Sequence, residues 1–106
     1  MGQGESTAVK LLLSFDPKPG PREAYFRYML GEFIPTMELL GLKLVEAWHT
    51  AYGPYPLRLT GFIAEDRRRL EEILASEDFR AMEEKLLEYV QNYNRRIVPL
   101  GRRFQF

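Results

Sequence analysis

The spacing of hydrophobic residues changes several times along this chain of 106 residues. Four segments alternate as strands do: residues 8–15, 42–50, 57–64 and 95–106. Two segments show the three- and four-residue steps of helices: residues 21–40 and 66–93. The predicted element order is therefore βαββαβ. This order is typical of the ferredoxin-like fold of class α+β, a four-stranded antiparallel sheet with helices on one face.

Both predicted helical stretches carry signals for an interruption. Pro35 lacks an amide donor and clashes with the preceding helical turn, so we expect a kink or short break near Gly31. In the second stretch Ser76 is a good N-cap, and Glu77 and Asp78 suit the first turn of a new helix. The second stretch is therefore predicted to break near Ala75.

Composition favours one domain over residues 8–106, preceded by a disordered N-terminal tail over residues 1–7. Fifteen basic and fifteen acidic residues give a formal net charge of zero, so no overall field attracts nucleic acid or an anionic membrane. The absence of cysteine excludes disulfides and thiolate metal sites and fits a cytoplasmic location. We expect no membrane span and no signal peptide.

The second half of the chain resembles a known family in three motifs. They are a hairpin strand that leads into a helix (Thr60-Gly61-Phe62-Ile63-Ala64-Glu65-Asp66-Arg67), a helix opening (Ser76-Glu77-Asp78-Phe79) and an aliphatic-Pro strand (Asn94-Arg95-Arg96-Ile97-Val98-Pro99-Leu100). Together they resemble the dimeric α/β-barrel superfamily, in particular its NIPSNAP-like branch. The resemblance implies a homodimer in which two bare sheet faces form a barrel.

The strand patterns independently favour a homodimer. Apolar residues occupy both faces of the strands, for example Leu12 beside Leu11 and Leu44 beside Val45. Helices from one chain cover only one face of such a sheet. An uncovered second face would form a larger apolar patch than soluble monomers usually expose.

His49 is the only histidine and the candidate catalytic base, because its ordinary pKa suits proton transfer near neutral pH. The alternative is a surface or structurally hydrogen-bonded histidine. One histidine without cysteine cannot supply the usual zinc or non-haem iron ligands, so no metal site is predicted. Haem requires a single axial histidine, but haem-handling relatives place theirs on a helix, whereas His49 is predicted in a strand. We therefore expect no cofactor.

Aromatic and basic residues suggest a pocket for a flat organic ligand. Trp48 and several tyrosines, including Tyr25 and Tyr28, could line it, with Arg58 or Arg27 holding a carboxylate. The alternative is that these rings serve only the core or an interface. The predicted ligand-binding residues are His49, Arg58, Tyr25 and Tyr28.

Successive residues of a strand face opposite sides of the sheet, so only one of Trp48 and His49 can face the helices. Val45 and Ala47 share the parity of His49 and are small enough to lie beneath helix side chains. We therefore predict that His49 points toward the helices and that Trp48 lies in the dimer interface.

Nucleic acid is not an expected partner, although residues 67–69 and 102–103 are arginines. Glu71 and Glu72 follow the first run, which indicates a solvated helix face. The strand Leu57–Ala64 also lacks the glycine-aromatic pattern with which RNA-recognition strands stack bases.

Three functional hypotheses remain at this stage. The first is a NIPSNAP-like homodimer that binds a small organic molecule between sheet and helices. The second, implied by the oxygenase branch of the superfamily, is a cofactor-independent monooxygenase or isomerase acting on a phenolic or polyketide-like substrate. The third is a structural or interaction dimer without a ligand. The sequence does not decide whether the protein is an enzyme.

Overall fold

The computed structural model describes residues 7–20, 22–50 and 57–100, and for residues 48–50 and 57 it describes the backbone alone. Four strands form one antiparallel sheet in the order β2-β3-β1-β4. They are β1 (Val9–Pro17), β2 (Lys43–Thr50), β3 (Leu57–Ala64) and β4 (Val90–Pro99). The predicted ferredoxin-like α+β architecture is confirmed. Of the predicted tail over residues 1–7, only Thr7 is described. The part of the last predicted strand that follows Leu100 lies outside the described residues.

Alternation in β1 decides which face of the sheet the helices cover. Val9, Leu11, Leu13 and Phe15 are all buried, whereas the intervening residues are half-buried. The register continues this inner face into β3, since Leu11 pairs with Phe62. Phe62 is also fully buried.

The first helical arm consists of α1 (Glu23–Tyr28), a π-helical segment (Met29–Phe33) and α2 (Ile34–Leu39). The interruption predicted near Pro35 takes the form of this π-helical segment. The amide of Ile34 donates to the carbonyl oxygen of Met29, five residues earlier. Pro35 then falls in the first turn of α2, where a missing amide costs little. The sequence predicts the place of the irregularity but not its kind.

The break predicted near Ala75 is confirmed by two short helices, α3 (Arg67–Leu74) and α4 (Glu77–Leu86). The carboxylate of Asp66 accepts a hydrogen bond from the Arg69 amide at 2.7 Å. The hydroxyl of Ser76 accepts one from the Phe79 amide at 3.2 Å. Asp66 and Ser76 are thus the N-caps of α3 and α4, a position at which aspartate and serine are strongly preferred.

The boundary between the last helix and the last strand differs from the prediction. The helix was expected to continue to residue 93, but α4 ends at Leu86 and β4 begins at Val90. β1 also continues past its predicted end, and Pro17 pairs with Val90. A register shift lies between Ser14 and Asp16 of β1. Beside it Asn92, with a φ of 57°, donates from Nδ2 to Asp16 Oδ2 at 2.9 Å. Pairing with β1 thus overrides the helical spacing of Val90 and Tyr93.

The sheet face opposite the helices is partly apolar and carries one ion pair. Lys10 Nζ in β1 lies 2.8 Å from Glu46 Oε2 in β2, across the intervening strand β3. Gly61 of β3 lies beneath this contact, where a Cβ atom would come within 2.8 Å of the Glu46 side chain. The missing side chain at Gly61 therefore gives Glu46 its path to Lys10. We call this surface the open face.

Within the described residues, none of the helices combines the length and the apolar character that crossing a membrane requires.

Candidate functional site

A cavity of about 160 Å³ lies between the first helical arm and strands β2 and β3. Its helical wall consists of five side chains: Tyr25, Phe26, Met29, Leu30 and Ile34. Its sheet wall consists of three: Ala47 of β2 and Arg58 and Thr60 of β3. Most of the lining is apolar, and a few polar groups converge on it, which is the usual composition of a small-molecule site.

Side-chain size explains why the layer between helices and sheet is incomplete here. Phe33 and Phe62 fill the neighbouring part of the layer, where both are fully buried. Ala47 and Thr60 are Cα partners in the β2–β3 register, and both side chains are small. The space above this pair is therefore not filled from the sheet.

The opening of the cavity is bordered by two exposed apolar residues of the first helical arm. Phe26 is 39% exposed and Leu30 is 68% exposed. Both lie at helical spacing from buried residues such as Met29 and Phe33, yet they border the cavity instead of entering the core. Their exposure makes the opening of the cavity apolar.

Arg58 brings a positive charge to this apolar surface. Its guanidinium carbon lies 5.2 Å from the ring centroid of Phe26 and 5.8 Å from that of Tyr25. Such cation–π contacts hold a guanidinium in place without neutralising its charge. Arg58 Nε is buried, and among the described residues it has no hydrogen-bond partner and Arg58 has no carboxylate in an ion pair.

Thr60 supplies the second unsatisfied polar atom. Its side chain is on the inner face, and the residue is only 7% exposed. No hydrogen-bond partner for Oγ1 is found in the described part of the chain. Buried hydroxyl groups normally have a partner, so an unpaired one at a cavity wall is unusual.

Tyr25 contributes a phenol whose surroundings carry positive charge. Burial raises the pKa of Tyr25 above its ordinary value, while the charges of Arg58 and Arg22 lower it in part. At neutral pH the phenol is therefore protonated. Edge contacts with Phe15 at 6.2 Å and Phe26 at 5.0 Å, measured between ring centroids, fix the orientation of the ring.

Of the predicted ligand-binding residues, the structure brings Arg58 and Tyr25 together at the cavity, and it places Tyr28 elsewhere. The Tyr28 hydroxyl donates to the carbonyl oxygen of Met82 at 2.7 Å. Its ring stacks on Tyr89, with a centroid distance of 5.2 Å. Tyr28 thus joins the first helical arm to α4, and the expectation that it lines the ligand cavity is corrected.

His49 and Trp48 are described through their backbones only. His49 is the Cα partner of Arg58, and Trp48 is the Cα partner of Leu59. Both side chains lie outside the described part of the structure, so their predicted orientations stay predictions. Residues 51–56, between the second and third predicted strands, also lie outside the described residues.

The structure also shows cavity residues that the sequence interpretation missed. Thr60 lies on the same face of β3 as Arg58 and Phe62, the face covered by the helices. A polar residue on a buried face is a sequence signal that could have identified Thr60. Phe26 and Leu30 gave no such signal, because their spacing equals that of core residues. Ala47 was noted for its size but not as a lining residue.

Two larger concave surfaces in the described part of the chain lack this combination of features. A groove of about 400 Å³ between α3 and β4 and one of about 350 Å³ where α2 meets β2 are larger. Neither is lined by Arg58 or Thr60, the two described residues with unpaired buried polar atoms. Across residues 7–20, 22–50 and 57–100, histidine, aspartate and glutamate form no group suited to a metal ion.

The arginine run of α3 is confirmed as a solvated helix face. Arg67 Nε lies 3.1 Å from Glu71 Oε2, and Arg68 Nε lies 3.7 Å from Glu72 Oε2. All four side chains are largely exposed. The second predicted arginine pair, residues 102–103, lies outside the described residues.

No protein-family model matches the chain, and no curated protein matches it. Solved structures do match. A NIPSNAP-like domain protein from Burkholderia xenovorans is 18% identical, with a TM-score of 0.60 over 87% of this chain and 84% of that one. A NIPSNAP family protein from Agrobacterium tumefaciens is 17% identical, with a TM-score of 0.64 over 89% and 86% of the two chains.

A third similar structure is SnoaB, a cofactor-independent oxygenase from Streptomyces nogalater. It is 12% identical, with a TM-score of 0.64 over 87% of this chain and 91% of that one. At these identities the similarity shows the fold. The predicted resemblance to NIPSNAP-like, dimeric α/β-barrel proteins is thus confirmed at the level of the fold.

Proposed function

We propose that this chain, with its NIPSNAP-like dimeric α/β-barrel fold, binds a small organic molecule in the cavity between the first helical arm and the sheet. One observation carries the proposal: two buried polar atoms, Arg58 Nε and Thr60 Oγ1, have no partner among the described residues. Leaving such atoms unsatisfied destabilises the folded protein. A ligand that bonds to both would remove this penalty.

The size of the cavity supports a ligand with one ring or an equally small apolar body. An apolar protein cavity of roughly 150 Å³ accepts a benzene-sized molecule. The cavity found in this protein measures about 160 Å³. A polycyclic ligand would need the roughly 300 Å³ or more that is typical of larger sites.

Titration with toluene and phenol, followed by backbone amide NMR, tests the proposal. We expect both probes to shift the amide signals of Ala47 and Thr60. Ala47→Leu fills the cavity and should abolish the shifts. Ala81→Leu makes the same change at an exposed position of α4 and should preserve them. Failure of toluene, phenol and the one-ring acid benzoate alike to bind the wild-type protein would refute the proposed site.

We further propose that two copies of the chain pack open face against open face, in the cytoplasm. Leu12, Leu59, Ile63 and Val98 are half-buried apolar residues of that face in the single chain. A second copy would cover them, as the name of the fold family implies. Trp48, as the partner of Leu59 in the register, is the proposed interface residue.

His49 remains our candidate for a further ligand contact or a catalytic base, because its Cα partner is Arg58 at the cavity. Residues paired across antiparallel strands have neighbouring side chains. His49→Ala should therefore alter ligand affinity and leave the oligomeric state unchanged. Equal ligand affinity in the variant and the wild-type protein would exclude His49 from the site.

The second candidate function is a cofactor-independent monooxygenase, which the structural similarity to SnoaB supports. Oxygen consumption with hydroquinone as probe, a phenol with a single ring, distinguishes the two. An oxygenase should consume oxygen in proportion to the enzyme added, and His49→Ala should slow the reaction. A binding protein should consume none above the background rate.

A further inference from the structure

We propose that the cavity selects a small carboxylate, so that its ligand is an organic acid and not a neutral molecule; this rests on the proposed binding function. Arg58 Nε and Thr60 Oγ1 are the hydrogen-bond donors available to the carboxylate oxygens. The apolar body of the acid would lie against Met29 and Ile34 of the helical wall.

The charge at the cavity is the first support for an anion. Among the described residues Arg58 has no acidic partner, although a guanidinium with a buried nitrogen usually has one. The cation–π contacts with Tyr25 and Phe26 orient it without cancelling its charge. A bound carboxylate would supply the missing negative charge.

The surroundings of Tyr25 provide separate support. The two charged residues that act on its phenol, Arg58 and Arg22, are both positive. Burial keeps the phenol protonated, so Tyr25 adds no negative charge to the cavity wall. A carboxylate would thus enter a positively charged environment from an apolar opening.

The strand geometry places both donors on one side of the ligand. Arg58 and Thr60 are two residues apart in β3 and pair with Phe15 and Leu13 of the inner face. Residues two apart in a strand share a face and are separated by roughly 7 Å along it. The long Arg58 side chain can bridge much of this separation, so one carboxylate can accept hydrogen bonds from both residues.

Calorimetric titration with benzoate and with benzamide, its neutral analogue of similar shape, tests the inference. The wild-type protein should bind benzoate about 10-fold or more tightly than benzamide, as expected for a charge-assisted hydrogen bond. Arg58→Gln should remove this preference. Arg27→Gln is the matched control, because Arg27 is an exposed residue of α1 outside the cavity, and it should retain the preference.

Thr60→Val provides a second test that does not depend on the Arg58 variant being folded. It should weaken benzoate binding several-fold while leaving the melting temperature of the ligand-free protein unchanged or higher. Equal affinities for benzoate and benzamide, or a preference that survives Arg58→Gln, would overturn the inference. Binding of toluene without any preference for benzoate would leave the proposed binding function standing, whereas binding of no probe would refute both.

Discussion

The Thr60 hydroxyl, which has no hydrogen-bond partner among the described residues, costs stability. Thr60→Val replaces it with a methyl group of similar shape and should raise the free energy of unfolding of the ligand-free protein by about 1 kcal/mol. Urea unfolding measures the change. Thr7→Val is the control, since the Thr7 hydroxyl donates to the carbonyl oxygen of Glu65 at 3.2 Å and its removal should bring no gain. A less stable Thr60→Val protein would show that Oγ1 has a partner after all.

Gly61 can be tested as the residue that makes room for the Lys10–Glu46 ion pair. In Gly61→Ala the new Cβ would meet Glu46 at 2.8 Å and displace it. We expect a loss of about 1 kcal/mol in the free energy of unfolding, within the usual range for point substitutions. In a Glu46→Ala background the same change should be neutral or stabilising, because alanine is favoured over glycine inside a strand. Equal effects in both backgrounds would contradict this account.

At the scale of elements, two tyrosines attach α4 to its neighbours. Tyr93 of β4 donates to Glu83 Oε2 at 2.6 Å, and Tyr28 of α1 donates to the Met82 carbonyl oxygen at 2.7 Å. Burial raises the pKa of both phenols; Glu83 adds to the rise at Tyr93, and nearby Glu32 adds to it at Tyr28. Both contacts require a protonated phenol.

The raised pKa values predict a loss of stability in alkaline solution. Above pH 10, about the ordinary pKa of tyrosine, the unfolded chain releases these protons while the folded chain keeps them. The unfolded state then binds fewer protons, so the free energy of unfolding falls as pH rises. Melting temperatures between pH 9 and 11 measure the fall, which should be less steep in Tyr93→Phe. The same slope in variant and wild type would contradict the prediction.

Local signals predicted most of the elements, and pairing between distant segments explains the differences. Asp66 and Ser76 carry their capping signal in their own side chains, so the starts of α3 and α4 were predictable. Val90 has helical spacing, but it pairs with Pro17, more than seventy residues earlier, and lies in β4. Residue type singled out Arg58 and Tyr25 as ligand-binding residues, and both line the cavity. Tyr28 was misplaced because its contact with Met82 depends on how two helices pack.

At the scale of the whole molecule, the open face predicts the oligomeric state. Light scattering at micromolar concentration should give about twice the chain mass of 12.5 kDa. Trp48→Ala should weaken the dimer, and His49→Ala should leave it intact. A stable monomer at that concentration would remove the case for two open faces packed together.

The π-helical segment lets the first helical arm hold one residue more than a regular α-helix of the same length. Tyr25, Met29, Phe33 and Met37 are all buried and follow at four-residue steps, whereas one turn of α-helix takes 3.6 residues. The wider π turn takes up part of this difference. Loss of one codon, for example that of the exposed Gly31, would let the segment close into a regular α-helix and would keep Met37 on the same face as Tyr25. An extra codon would instead rotate α2 by about 100° and displace a wall of the cavity.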